Sequence, residues 1–289
     1  MSAGPVDGRS VLSIRDLTIA FGSKKRATPI VTGVSLDLYP GRIQGLAGES
    51  GSGKTVTAMA VLGLLPRTAT LGGSIRLGET ELLGLGRRQL GRIRGRRVAM
   101  VFQDPSASLH PQLTVGRQLT DHVRTHLGCS REQAQARAVD LLERVRVPDA
   151  ASALRRYPHQ FSGGQRQRIA IAIALACDPD VVLADEPTTA LDVTVQAGIL
   201  HLLRDLADER QLAVLLVTHD LGVMSAVADE VAVMRHGAIV ESGVREQIFT
   251  RPQHPYTREL LISLPESGIT GTTDAAPPPE VPEPREGER

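Results

Sequence analysis

Gly48-Glu49-Ser50-Gly51-Ser52-Gly53-Lys54-Thr55 decides the fold of this chain of 289 residues. Its spacing is the G-x-x-x-x-G-K-[ST] pattern of a loop that wraps nucleotide phosphates. The largely apolar run Ile43-Gln44-Gly45-Leu46-Ala47 precedes it and a helix-compatible stretch, 56–65, follows. Strand, glycine loop and helix therefore come in the order the pattern requires. The glycines let successive N–H groups curl inward toward an anion, and the helix start adds orphan donors and the positive end of its dipole. Lys54 is expected to reach the terminal phosphates, and the Thr55 hydroxyl to ligate Mg²⁺. The chain carries three lysines, Lys24, Lys25 and Lys54, against thirty arginines. It nonetheless keeps lysine here, where a compact ammonium suits a crowded phosphate pocket better than a planar fork.

Upstream of this loop, residues 1–10 read as a loose leader with no apolar signal core. Alternating apolar positions predict strands at 11–20 and 31–38, joined by a polar, basic hairpin loop at 22–29. Downstream, Pro66 is expected to end the helix, followed by a short strand at 74–77 and a loop-rich stretch to Arg97. Arg87, Arg88, Arg92, Arg94, Arg96 and Arg97 crowd that stretch. No aromatic interleaves with them, as stacking on single-stranded nucleic acid would need, so they read as a solvated surface.

Residues 98–102 form a strand-length apolar run ending at Gln103-Asp104-Pro105. From 114 to 177 the pattern is helical, with Ala134, Ala138, Leu141, Leu142 and Val145 on one face. A helical block inside a strand–helix alternation reads as an inserted subdomain. The alternation then resumes: strand 181–184, helix 193–210, strand 212–218, helix 221–228, a hairpin of 231–234 with 238–240, and short helices near 245–249 and 256–263. From 266 onward, five prolines among Glu and Gly cannot bury a core, which predicts a disordered tail.

Composition narrows the function classes. Hydrophobic residues make up 41% of the chain and aromatics 2%, so the core must be aliphatic. A net charge of +1 gives no overall pull toward nucleic acid. Cys129 and Cys177 are too far apart for a disulfide framework or a metal knuckle, and Cys177, after an apolar run, reads as a buried small hydrophobe. No run reaches the ~18–20 apolar residues of a membrane helix, so any membrane connection is expected through a partner.

Two further clusters carry chemistry. Val181-Val182-Leu183-Ala184-Asp185-Glu186 is an apolar strand ending in two carboxylates. Central parallel strands are apolar throughout, and ligands bind at their C-terminal ends. Asp185 is positioned to hold Mg²⁺, and Glu186 to take a proton from attacking water. Phe161-Ser162-Gly163-Gly164-Gln165 precedes the helical run 166–176, with Ser162 as a candidate N-cap and the glycines as a second anion site. Two such helix starts around one carboxylate strand suggest a dimer, each nucleotide lying between the first loop of one subunit and the second of its partner. An N-cap without a ligand is the simpler reading of that cluster alone.

In sequence order, these residues resemble the nucleotide-binding subunit of an ABC transporter, over about 12–264. The resemblance covers the Walker A loop at 48–55, the Q-loop Gln103, the signature at 161–165, the Walker B strand to Asp185 and Glu186, the D-loop Ala190-Leu191-Asp192 and the switch His219. The signature departs from the commonest form in having Phe161 where leucine is usual. The implied fold is an α/β P-loop NTPase (ABC ATPase) sheet core with an antiparallel β subdomain and a helical subdomain at about 104–178. The nucleotide-binding domain would span 11–265. The resemblance also implies ATP and Mg²⁺ as cofactors, with Gln103 sensing the metal and touching the membrane partner's interface. His219 would contact the γ-phosphate, Asp192 would communicate across the dimer, and Ser162, Gly163, Gly164 and Gln165 would contact ATP in trans. Phe21 falls where an aromatic stacks on adenine, and reads equally as a core strand residue.

Phe102-Gln103-Asp104-Pro105, Tyr157-Pro158-His159-Gln160 and His254-Pro255-Tyr256-Thr257 narrow the resemblance to the dipeptide, oligopeptide and nickel import ATPases. That implies two membrane-spanning permease subunits, a second ATPase subunit and an extracytoplasmic substrate-binding protein as partners, at the cytoplasmic face of the membrane, without nucleic acid. Many peptide members have a cysteine-rich extension that resembles an iron–sulfur site. No Cys follows Cys177 here, which keeps a nickel or metallophore importer as the alternative. A soluble ABC ATPase acting on DNA or ribosomes is a further class. Its chromosome-type members need a long coiled coil between loop and signature, and no sustained heptads lie there. A non-hydrolysing switch would not need both Glu186 and His219.

Overall fold

The computed structural model describes residues 9–22, 27–189 and 191–263. Four strands form an antiparallel sheet: β1 (Leu12–Phe21), β2 (Thr28–Leu38), β4 (Ala69–Leu77) and β5 (Thr80–Glu81), in the order β2-β1-β4-β5. A second sheet holds β3 (Ile43–Ala47), β6 (Val98–Val101), β7 (Val181–Asp185), β8 (Ala213–Thr218), β9 (Glu230–Arg235) and β10 (Ala238–Val244), in the order β10-β9-β3-β8-β7-β6. All of its neighbours pair in parallel except β10, which returns antiparallel along β9. The five residues of β3 and of β7 and the six of β8 are all buried, as strands covered on both faces must be. One apolar cluster joins the antiparallel sheet to one face of the parallel sheet, and a second joins the opposite face to the helices.

Helix α1 (Lys54–Val61) follows the glycine loop. It ends earlier than the sequence pattern predicts, and Gly63 rather than Pro66 stops it. Gly63 takes φ +59°, its N–H donates to the Ala60 carbonyl at 2.9 Å, and the Leu64 N–H donates to Met59 at 3.0 Å. This pair of reverse bonds is a Schellman close, which a residue free to adopt the left-handed region makes at low cost. The strand expected at 74–77 starts earlier, at Ala69, and the stretch expected as loop up to Arg97 contains β5 and helix α2 (Arg87–Ile93). The arginines there are not all solvated surface. Arg94 donates to the carbonyls of Leu62 and Gly63 at 2.7 and 2.8 Å, and Arg97 pairs with Asp180 at 2.7 Å.

The inserted block is helical as predicted: α3 (Pro105–Ser108), α4 (Val115–Leu127), α5 (Arg131–Arg144), α6 (Ala150–Ala153) and α7 (Gly163–Ala174). Ala134, Ala138, Leu141, Leu142 and Val145 are all buried on its inner face. Then come α8 (Val193–Arg210), α9 (Leu221–Val227), α10 (Arg245–Thr250) and α11 (Pro255–Ile262). Cys177 is buried, and burial pushes its thiol up to about 11. Among the described residues no helix is long and apolar enough to cross a membrane. The proposed tail at 266–289, most of the leader and residue 190 of the D-loop lie outside the described residues.

Candidate functional site at the strand ends

Sheet order brings together residues far apart in sequence. β8 lies between β3 and β7, with Ala47 opposite Thr218 and Asp185 opposite Val217. β6 flanks β7, with Val101 opposite Ala184. The parallel strands end on one side of the sheet, so the glycine loop leaves β3 beside His219 from β8, Asp185 and Glu186 from β7, and Gln103 just beyond β6. Lys54, Thr55, Gln103, Glu186 and His219 are among the walls of an open cleft of about 780 Å³, with Asp185 buried behind Thr55.

The loop itself is shaped by what it packs on. Gly48 has φ +145°, and a Cβ there would stand 2.1 Å from the Met234 carbonyl oxygen on β9. No side chain caps α1, whose N-cap Gly53 is left-handed at φ +106°, so the helix start faces the loop interior as an anion site requires. Ser52 and Gly53 are buried, while Glu49, Ser50 and Gly51 form the exposed lip. Lys54 folds back into its own loop. Its ammonium donates to the carbonyls of Gly48 at 2.7 Å and Glu49 at 2.8 Å, with Ser52 Oγ at 3.4 Å. Burial lowers its pKa, against the opposing pull of Glu186, Asp185 and Glu49. Loop carbonyls thus hold the ammonium that the motif assigns to phosphate.

Asp185 is 4% exposed, and its Oδ1 accepts from the Thr55 hydroxyl at 3.0 Å. Burial raises its pKa, the neighbouring Glu186 adds to the rise, and Thr55 and Lys54 oppose it. Glu186 behaves in the opposite way. Its Oε1 lies 3.0 Å from His219 Nδ1, and its Oε2 accepts from Gln103 Nε2 and from the Thr189 hydroxyl, each at 2.9 Å. Burial opposes its ionisation, but the His219 and Thr189 hydrogen bonds outweigh that and hold its carboxyl below the usual range. Glu186 also has φ +45°, a strained value for a residue with a Cβ. Its N–H still donates to Val217 at 2.8 Å, so the strand pairing continues while the backbone turns sharply, ahead of Pro187. Thr189 carried no assignment from the sequence; its hydroxyl position depends on that turn.

The other predicted residues divide between the cleft and elsewhere. Phe21 closes β1, packs half-buried on the apolar cluster behind the loop and also lines the cleft. Ser162 caps α7 as expected: its Oγ accepts from the Gln165 N–H at 3.3 Å, and Gln165 Oε1 accepts from the Ser162 N–H at 3.1 Å. Gln165 is thus engaged at its own helix start. A Cβ on Gly164 would lie 2.5 Å from Val195 Cγ1, so that glycine also lets α7 approach α8. Asp192 caps α8 through the Val195 N–H at 2.9 Å. Among the described residues that line the cleft, none comes from 162–165. Phe161 is buried beneath the Arg156 guanidinium, 4.2 Å from its ring centroid.

One contact was not visible in the local pattern. The Glu49 N–H donates to the hydroxyl of Tyr256, on α11, at 3.1 Å. The sequence signalled Tyr256 only as part of His254-Pro255-Tyr256-Thr257, without indicating where it would pack.

A phosphate loop, a carboxylate strand and a capped glycine helix on this two-sheet frame define an ATPase of the ATP-binding-cassette class. The ABC transporter family model matches residues 31–189, and the model described as "Oligopeptide/dipeptide transporter, C-terminal region" matches 240–289. A putative peptide import ATP-binding protein of Brucella abortus is 47% identical over 95% of this chain and 83% of its own length. The dipeptide transport ATP-binding protein DppD of Bacillus subtilis is 45% identical over 93% and 82%. The glutathione import ATP-binding protein GsiA of Salmonella typhimurium is 46% identical over 91% of this chain, which spans 43% of that protein. Among solved structures, the dimeric post-hydrolysis cassette MJ0796 bound to ADP and Pi has a TM-score of 0.72 at 27% identity, covering 81% of this chain and 98% of that one. This chain belongs to the ABC transporter family.

Proposed function

We propose that the chain is the ATP-hydrolysing subunit of a membrane importer of dipeptides and oligopeptides. The observation that carries the chemistry is the convergence of Lys54, Gln103, Glu186 and His219 from separate strand ends on one cleft, with buried Asp185 tied to its wall through Thr55. The transport reading is supported by the match at 240–289 and by the peptide importers among the relatives.

In this reading the phosphates enter the loop and Lys54 exchanges the Gly48 and Glu49 carbonyls for phosphate oxygens. The residues present fit Mg²⁺: the Thr55 hydroxyl, the Asp185 carboxylate and the Gln103 amide are the hard oxygen donors such an ion takes, and Thr55 and Asp185 already stand 3.0 Å apart. Bound there, Mg²⁺ would neutralise charge on the phosphate oxygens. Glu186, ionised and steered by His219, Gln103 and Thr189, takes the proton of the attacking water. General-base help of this kind is worth about 10²–10⁴ in rate.

None of the described residues that line the cleft comes from 162–165, which supports completion by Ser162, Gly163, Gly164 and Gln165 of a second ATPase subunit, with Asp192 near the seam. Phe21 at the rim is the proposed adenine platform. Two permease subunits would dock near Gln103 and the helical subdomain at 104–178, on the cytoplasmic face of the membrane, and a substrate-binding protein would deliver the peptide. The test is ATP turnover by the chain reconstituted with permease subunits and binding protein in vesicles. Peptides should stimulate it several-fold. Stimulation by chelated nickel alone would overturn the peptide assignment.

A further inference from the structure

We propose that Tyr256 is a positioning residue of the phosphate loop, which makes the 253–260 segment part of the nucleotide site. The inference rests on the nucleotide-binding reading above and extends it to a region that the loop motif does not include.

The Glu49 backbone is held at both of its polar groups. Its carbonyl accepts from Lys54 Nζ at 2.8 Å, and its N–H donates to the Tyr256 hydroxyl at 3.1 Å. When Lys54 turns to phosphate, the first of these bonds is given up and the Tyr256 bond remains. Tyr256 is well fixed for the task. It is 1% exposed, and the Arg235 guanidinium lies over its ring at 4.4 Å from the centroid. Arg235 ends β9, the strand beside β3, just before the turn whose Gly237 N–H donates to the Ser52 carbonyl at 3.0 Å. The loop is therefore gripped at Glu49 and at Ser52 by two neighbouring pieces that also touch each other.

The helix that carries Tyr256 is itself anchored. Glu241 on β10 accepts the N–H groups of Gln253 at 2.7 Å and His254 at 3.0 Å, and His254 Nδ1 accepts the Tyr256 N–H at 3.2 Å. One turn further along α11, Leu260 lines the cleft beside Phe21 and Ile30. A buried tyrosine is most often simply core, and the ring alone would serve that role. The hydroxyl is the part that reaches the loop, so it can be tested separately.

Tyr256→Phe keeps the ring and its stack with Arg235 and removes the acceptor of the Glu49 N–H. The measurements use the full chain: titration with a fluorescent ATP analogue, steady-state ATP turnover, and hydrogen exchange of the 48–53 amides, at a temperature well below both unfolding midpoints. The expected result is an ATP Kd and KM raised roughly three- to tenfold, the equivalent of one hydrogen bond. The kcat should stay within twofold, and exchange at the loop should be faster. Unchanged Kd and KM, with or without a lower melting point, would assign the hydroxyl to packing and overturn the inference. A wild-type chain that binds no nucleotide would instead sink the reading on which it rests.

Discussion

His219 Nδ1 stands 3.0 Å from Glu186 Oε1, although the two residues end different strands and lie 33 positions apart. The contact exists because β8 and β7 pair in register up to Asp185 and Val217, so the residues just after the pair emerge together. It ties the charge of the proposed base to His219.

The first prediction concerns pH. The Glu186 carboxyl is held below its ordinary value of 4.5 by hydrogen bonds from His219 and Thr189, despite burial. A depressed acid stabilises the fold above its unfolded pKa and loses that contribution as pH falls through the folded one. Protonation of Glu186 should therefore not limit turnover between about pH 5 and 8. His219→Ala removes one of the bonds and should move the acid limb of the residual kcat profile upward. Superimposable acid limbs for wild type and variant would contradict this link.

Asp185 gives the opposite sign. Its folded pKa is raised from 3.8, first by burial and then by Glu186. The ionised form is disfavoured in the folded chain, a cost that grows as pH rises from the unfolded value through the folded one and stays in place at neutral pH. Asp185→Asn keeps an oxygen for the Thr55 hydroxyl. It should raise the melting point of the nucleotide-free chain at pH 7.5, and the gain should shrink toward pH 4. The same variant should lose Mg²⁺-dependent ATP binding. A lower melting point at pH 7.5 would show that the carboxylate is a net stabiliser.

Gly164 tests packing apart from ligand chemistry. A Cβ there meets Val195 Cγ1 at 2.5 Å, and a β-branched side chain has little room to turn away. Gly164→Ala should destabilise the chain by about 1–3 kcal/mol, as overpacking does. Gly164→Ala with Val195→Ala should recover most of that loss, a coupling read from thermal or denaturant unfolding. Equal stability of the single and double variants would remove the close approach of α7 and α8 as the cause.

Elements with a local code were readable in the sequence. Helix α8 runs over the predicted 193–210 because Asp192 caps its start and left-handed Gln211 closes its end. β7 was legible as a continuous apolar run up to Asp185, β3 as a mostly apolar run despite Gln44, and the glycine loop by its spacing. Other features depend on partners distant in sequence. Gly63, three residues before Pro66, ends α1 through bonds to Ala60 and Met59, and Arg94 returns to cover the carbonyls of Leu62 and Gly63. Strand periodicity does not reveal that β8 separates β3 from β7, nor that Tyr256 reaches the loop from 207 positions away. The residue types of the site were legible, whereas the contacts that hold the loop were not.

The central claim is that Glu186 is the base of a nucleotide site finished by a second subunit. Glu186→Gln keeps the length of the side chain and removes its basicity. Size-exclusion chromatography with light scattering, run with Mg-ATP and without it, and paired with a turnover assay, tests both halves of the claim together. We predict an ATP-dependent dimer for the variant, with turnover reduced by about 10²-fold or more. A variant that stays monomeric in ATP and hydrolyses it at the wild-type rate would contradict the account.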